Sequence, residues 1–79
     1  MKVTLYTRRG CHLCDEAKRE IEAARRRRAF DYDEFDIDAD AGLLHLYNEE
    51  VPVIAIDGRK AFKYRLTADE LLKKLETRA

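Results

Sequence analysis

Cys11 and Cys14 are the only cysteines in the chain, and they sit where its apolar pattern changes period. Before them, Val3, Leu5 and Thr7 alternate with Lys2, Thr4 and Tyr6, the period of a strand built from β-formers. After them, Cys14, Ala17, Ile21 and Ala24 recur at helical spacing, while Lys18, Arg19, Glu22 and Arg25 fall on the opposite side. The spacing predicts a strand over Lys2 to Thr7, a break at Gly10, and a helix over roughly Leu13 to Arg28. Arg25 to Arg28 close that helix at its negative dipole end. A strand passing directly into an amphipathic helix predicts a layered α/β domain, with the thiol pair at the junction.

The rest of the chain continues the alternation. Phe30 to Ala39 reads as a second strand. Its apolar parity changes between Tyr32 and Phe35, so the sequence predicts either a bulge there or a strand proper that begins near Glu34. Asp38 or Asp40 can cap a short helix over roughly Ala41 to Asn48. Val51 to Ile56 reads as a third strand, with Pro52, the one proline, at its start, where a missing N–H is tolerated. Asp57-Gly58 is a hairpin turn into a fourth strand, Arg59 to Tyr64. Thr67-x-x-Glu70 is a capping box for a last helix, with Leu71, Leu72 and Leu75 inward. The order is βαβαββα. The first crossover should be right-handed, making the first two strands parallel, and the hairpin makes the last two antiparallel.

Seventy-nine residues predict a single domain, 1–79, that buries only about 60% of its unfolded surface, so nearly every apolar residue must serve the core. Sixteen basic and sixteen acidic side chains cancel, which argues against a dedicated binder of nucleic acid or of an anionic membrane. No apolar run is long enough to span a bilayer, and no signal segment precedes the first strand. These features predict a cytoplasmic protein. In a reducing compartment a Cys-x-x-Cys pair is more often catalytic or metal-binding than structural. Ser, Gln and Trp are missing and 41% of residues are charged, a bias similar to that of thermophile proteins.

A Cys-x-x-Cys pair at a strand-to-helix junction is the pattern of a thioredoxin-like redox site. Leu5-Tyr6-Thr7-Arg8-x-x-Cys11-x-x-Cys14, Val51-Pro52 about forty residues on, and Ile56-Asp57-Gly58 together resemble the glutaredoxins. The small bacterial glutaredoxin-like branch is most similar, through Cys11-His12-Leu13-Cys14-Asp15 and the second-strand run Asp36-Ile37-Asp38-Ala39-Asp40. The likeness covers essentially the whole chain. It implies a thioredoxin-like fold with four strands ordered 2-1-3-4, first and third helices on one face and the second on the other. It also implies a cis Val51–Pro52 bond beside the cysteines. There Val51 and Pro52 would orient a substrate backbone, and Pro52 would keep stray metal from the thiols.

The site chemistry follows from the residues. Cys11 and Cys14 lie about one turn apart on the same side of a helix start, a separation that suits a disulfide. Cys11 is the more accessible and Cys14 lies on the buried stripe, so Cys11 is expected to be the nucleophile and Cys14 the resolving thiol. The helix N-terminus and Arg8, with Arg9, favour a thiolate at Cys11. Asp15 and Glu16 oppose it. Lowering a thiol pKa from ~8.5 to ~6 raises its thiolate fraction about thirtyfold at neutral pH and lowers its nucleophilicity about tenfold. The larger gain is a better leaving group when Cys14 attacks a mixed disulfide. His12 is either an imidazolium that assists the thiolate or a solvated ring.

Arg8 is also expected to hold an anionic group of the substrate, and His12, Leu13, Val51, Pro52 and Tyr64 to border it. Glu50 stands where typical glutaredoxins have Thr, and Phe62-Lys63 and Arg65 where they carry Gly-Gly and an acid. Glutathione and a protein dithiol are therefore both open as reductant, with a disulfide-containing protein as substrate and no bound cofactor expected. The protein is expected to act as a monomer.

The competing reading is a thioredoxin-like module that holds a metal or a protein partner without turnover. Zinc takes four ligands, and the further donors are His12 and His45. In the implied fold His45 lies across the sheet, so no metal ligand is assigned.

Overall fold

Val3, Leu5, Ile54 and Ile56 are fully buried, and this alternation builds the sheet around its two middle strands. The computed structural model describes residues 1–48 and 50–78. β1 (Lys2–Thr7) pairs in parallel with β2 (Asp31–Asp36) and antiparallel with β3 (Val53–Ile56). β3 pairs antiparallel with β4 (Arg59–Lys63), giving the order β2-β1-β3-β4. This is the order implied by the resemblance. The helices are α1 (His12–Arg27), α2 (Ala41–Tyr47) and α3 (Ala68–Arg78). Among the described residues, no helix is long and apolar enough to cross a membrane.

One face of the sheet carries most of the core. Val3, Leu5, Ile54 and Ile56 meet Ala17, Ile21 and Ala24 of α1 and Leu71 and Leu75 of α3. Burying each large aliphatic side chain stabilises the fold by about 1.5–3 kcal/mol, which sets the stripe of α1 against the sheet. Leu72 is half-buried at the rim of this core. The capping box forms as expected: the Glu70 amide donates to Thr67 Oγ1 at 3.1 Å, and the Thr67 amide to Glu70 Oε1 at 3.0 Å. Glu20 of α1 accepts from the Ala68 amide at 3.0 Å, so α1 also caps α3.

The other face carries α2. Tyr47 stacks on Tyr6 with ring centroids 4.8 Å apart, and Phe35 stacks on the same Tyr6 at 6.0 Å. This resolves the parity change in β2. No bulge interrupts β2, which keeps register with β1 from Lys2↔Asp31 to Thr7↔Asp36. Tyr32 turns toward the main core and Phe35 toward Tyr6, so both faces of β2 carry an aromatic side chain.

The chain leaves β2 at Asp36, earlier than the periodicity predicts, because the Asp36 carboxylate accepts from the Asp38 amide at 2.9 Å and closes a 3-10 turn over Ile37–Ala39. Asp40 rather than Asp38 caps α2, accepting from the Leu43 amide at 3.1 Å. The irregular pairing lies instead between β3 and β4, at Ile54/Ala55. β3 starts at Val53, two residues later than expected, and β4 ends at Lys63. Asp57 and Gly58 both have positive φ, as a tight right-twisted hairpin requires.

Candidate active site

The Cys11–Cys14 loop leaves the C-terminal end of β1, and three neighbouring segments converge there. β1 and β2 stay paired up to Thr7↔Asp36, which brings Asp36 to Asp38 alongside. β1 and β3 stay paired up to Tyr6↔Val53, which brings Pro52 to the same end. The β4–α3 connection follows, because the Tyr64 amide donates to the Pro52 carbonyl at 2.8 Å.

Cys11 is the N-cap of α1. Its backbone is extended, its carbonyl accepts from the Asp15 amide at 3.2 Å, and its sulfur accepts from the Cys14 amide at 3.1 Å. Sulfur here takes the place that a Ser or Asp oxygen usually fills at a helix start. Cys11 and Cys14 are joined as a disulfide, with Cα atoms 5.2 Å apart. Cys11 is partly exposed, whereas Cys14 is 1% exposed and continues the buried stripe of Ala17, Ile21 and Ala24. His12 points into solvent, its ring nitrogen 3.9 Å from the Glu16 carboxylate.

Arg8 is not directed at an empty site. Its Nε and Nη2 donate to the two carboxylate oxygens of Asp38 at 3.0 and 2.7 Å, and its Nη1 donates to the Asn48 carbonyl at 3.1 Å. These hydrogen bonds from Arg8 to Asp38 raise the Arg8 pKa and hold the Asp38 carboxyl below the usual range. Glu50, just before Val51, accepts from Lys60 at 3.1 Å and from Lys63 at 3.4 Å, and both lysines lower its pKa. The segment that carries the cis Val51–Pro52 peptide is thus braced from two sides, by the Arg8 hydrogen bond to the Asn48 carbonyl and by the pairs of Glu50 with Lys60 and Lys63 of β4.

A groove of about 370 Å³ lies between α1 and the β4–α3 connection, lined by Leu13, Glu16, Tyr64, Arg65 and Thr67 among others. Leu13 and Tyr64 both line this groove. The left-handed backbone of this connection falls at Tyr64, φ 70°, and not at Phe62 or Lys63. Phe62 pairs with Ile54 and packs on the core. Sequence reasoning missed Asp38 and Asn48 as partners of Arg8. They lie 30 and 40 residues downstream of it, and no local pattern links them. His45 is exposed on α2, across the sheet from α1.

The glutaredoxin-like domain (DUF836) family model matches residues 2–76. The chain belongs to the glutaredoxin-like family. Among curated proteins, this glutaredoxin-like chain is 34% identical over 83 residues to the Glutaredoxin-like protein YDR286C homolog of Dictyostelium discoideum. That alignment covers 98% of this chain and 77% of the relative. Among solved structures, protein XcR50 of X. campestris is 36% identical, with a TM-score of 0.79 over 95% of this chain and 96% of that one. The glutaredoxin-like protein NrdH-redoxin of Escherichia coli, 24% identical, shares the thioredoxin-like fold at a TM-score of 0.64 over 95% of each chain.

Proposed function

We propose that this glutaredoxin-like protein is a thiol–disulfide oxidoreductase that reduces protein disulfides in the cytoplasm as a monomer. The supporting observation is the Cys11 sulfur at the N-cap of α1, hydrogen-bonded by an amide and paired with a buried second sulfur. Reduced Cys11, as thiolate, attacks a substrate disulfide and expels one thiolate. Cys14 then attacks the Cys11 sulfur and releases the second thiolate. The substrate gains two electrons and the pair closes as Cys11–Cys14. The Cys14 amide and the helix N-terminus stabilise negative charge on Cys11 before attack and when it leaves.

Val51 and Pro52 orient the substrate backbone, while Leu13 and Tyr64 form the wall beside it. The reductant is a protein dithiol or glutathione. Bulky Tyr64 and basic Arg65 in the groove give glutathione neither a glycine backbone to approach nor an acid for its α-amino group, which favours the dithiol.

The test is reduction of insulin and of a glutathione mixed disulfide, with dithiothreitol, thioredoxin reductase or glutathione supplied as reductant. Turnover that is lost in Cys11→Ser supports the assignment. A reduced pair that alkylates like free cysteine and forms no intramolecular bond on oxidation overturns it.

A further inference from the structure

Arg8 precedes Cys11 by three residues, so chain geometry keeps their Cα atoms within about 11 Å. That is well inside the ~30 Å Debye length of a 0.01 M buffer, so at low ionic strength the charge around Arg8 is felt by a disulfide approaching Cys11. Arg8 is held at all three of its guanidinium nitrogens, two by Asp38 and one by Asn48. The pair stays in contact with solvent: the Arg8 side chain is 32% exposed and that of Asp38 43%. Asp36 adds a second carboxylate whose field reaches Arg8. Asp38 has no capping duty of its own, since Asp36 closes the 3-10 turn and Asp40 caps α2.

We propose that Asp38 sets the charge selectivity of the redox site. It fills the carboxylate-binding fork of Arg8 from within the chain, so the site discriminates against anionic disulfides and favours neutral or basic ones. The inference rests on the oxidoreductase reading above and deepens it. Asp38 acts through Arg8 and touches no reacting atom. Neutralising it frees a bidentate carboxylate site on Arg8 and adds one unit of net positive charge there.

The experiment follows oxidation of the reduced full-length protein by stopped flow at low ionic strength, with three disulfides. These are dianionic oxidised glutathione, neutral bis(hydroxyethyl) disulfide and dicationic cystamine. The neutral compound normalises for any change in thiolate reactivity. Asp38→Asn should raise the glutathione-to-neutral rate ratio about two- to fivefold and lower the cystamine ratio, with both effects shrinking as salt rises. Arg8→Gln should shift both ratios the opposite way, and the double variant should return them near the starting values. That ordering excludes a loss of folding as the cause, which would slow all three disulfides alike. Ratios unmoved across the three variants overturn the proposal and leave the redox reading standing. Failure of the unmodified dithiol to react with any of the disulfides removes the redox reading and this inference with it.

Discussion

The Cys14 amide donates to the Cys11 sulfur at 3.1 Å. One backbone N–H thus ties position 14 to the Cys11 sulfur, and it belongs to a helix start, where amides have no intrahelical partner. In the disulfide this amide caps the helix. Under the proposed mechanism the same amide would face a thiolate in the dithiol, a stronger acceptor. Cys14 is buried, which under the proposed mechanism suits it to attack a mixed disulfide on Cys11 rather than a new substrate.

Cys14→Ser should therefore stop the reaction at a mixed disulfide on Cys11, seen as an adduct by mass spectrometry. Cys11→Ser should give no adduct. Because position 14 is 1% exposed, a serine hydroxyl there should also destabilise the fold, by about 1–2 kcal/mol in urea unfolding. Stable accumulation of an adduct on Cys14 in the Cys11→Ser protein would reverse the assignment of roles.

Acid stability should report the surface ion pairs made by Asp38 and Glu50. Hydrogen bonds from Arg8 hold the Asp38 carboxyl below its ordinary 3.8, and those from Lys60, with help from Lys63, hold Glu50 below 4.5. A carboxyl with a depressed folded-state pKa binds its proton more readily in the unfolded chain. Its contribution is therefore full above the ordinary value and is lost as pH falls through the lowered one. Arg8→Gln should flatten the dependence of Tm on pH below 3.8 relative to the parent, and high salt should shrink the difference. Parallel curves for the two proteins would show that the pair adds nothing to folding.

Tyr64 takes a left-handed backbone, φ 70°, while its amide holds the Pro52 carbonyl. A non-glycine residue there costs on the order of 1 kcal/mol. Tyr64→Gly relieves that cost but adds flexibility to the unfolded chain, so stability should change by less than ~1 kcal/mol. Tyr64→Val places a β-branched residue in the same backbone and should lose ~1–2 kcal/mol. With the groove wall gone, Tyr64→Gly should raise KM for a protein disulfide more than it lowers kcat. Equal stability of the two variants would show that the connection relaxes around a new residue.

Thr67 caps α3 through the Glu70 amide at 3.1 Å. Thr67→Ala should cost about 1 kcal/mol of unfolding free energy, as for other lost N-caps. A loss below ~0.3 kcal/mol would mean that the Glu20 bond to the Ala68 amide carries the helix start by itself.

The amino-acid order alone determined what depends on neighbours in the chain. The stripe of Cys14, Ala17, Ile21 and Ala24, the Asp57-Gly58 turn and the Thr67–Glu70 box are each written within about three helical turns of chain or fewer. The backbone periods of strand and helix make such patterns readable. The thiol pair is of the same kind, because a three-residue step at a helix start brings two sulfurs together in any fold. Tertiary structure decided what crosses the chain. Phe35 faces away from the core because Tyr6 is there to stack with it. Asp38 binds Arg8 instead of capping α2 because parallel pairing of β1 and β2 brings residues 30 apart to one edge. An ion pair of that reach has no period, so only the assembled sheet tells which carboxylate meets the guanidinium.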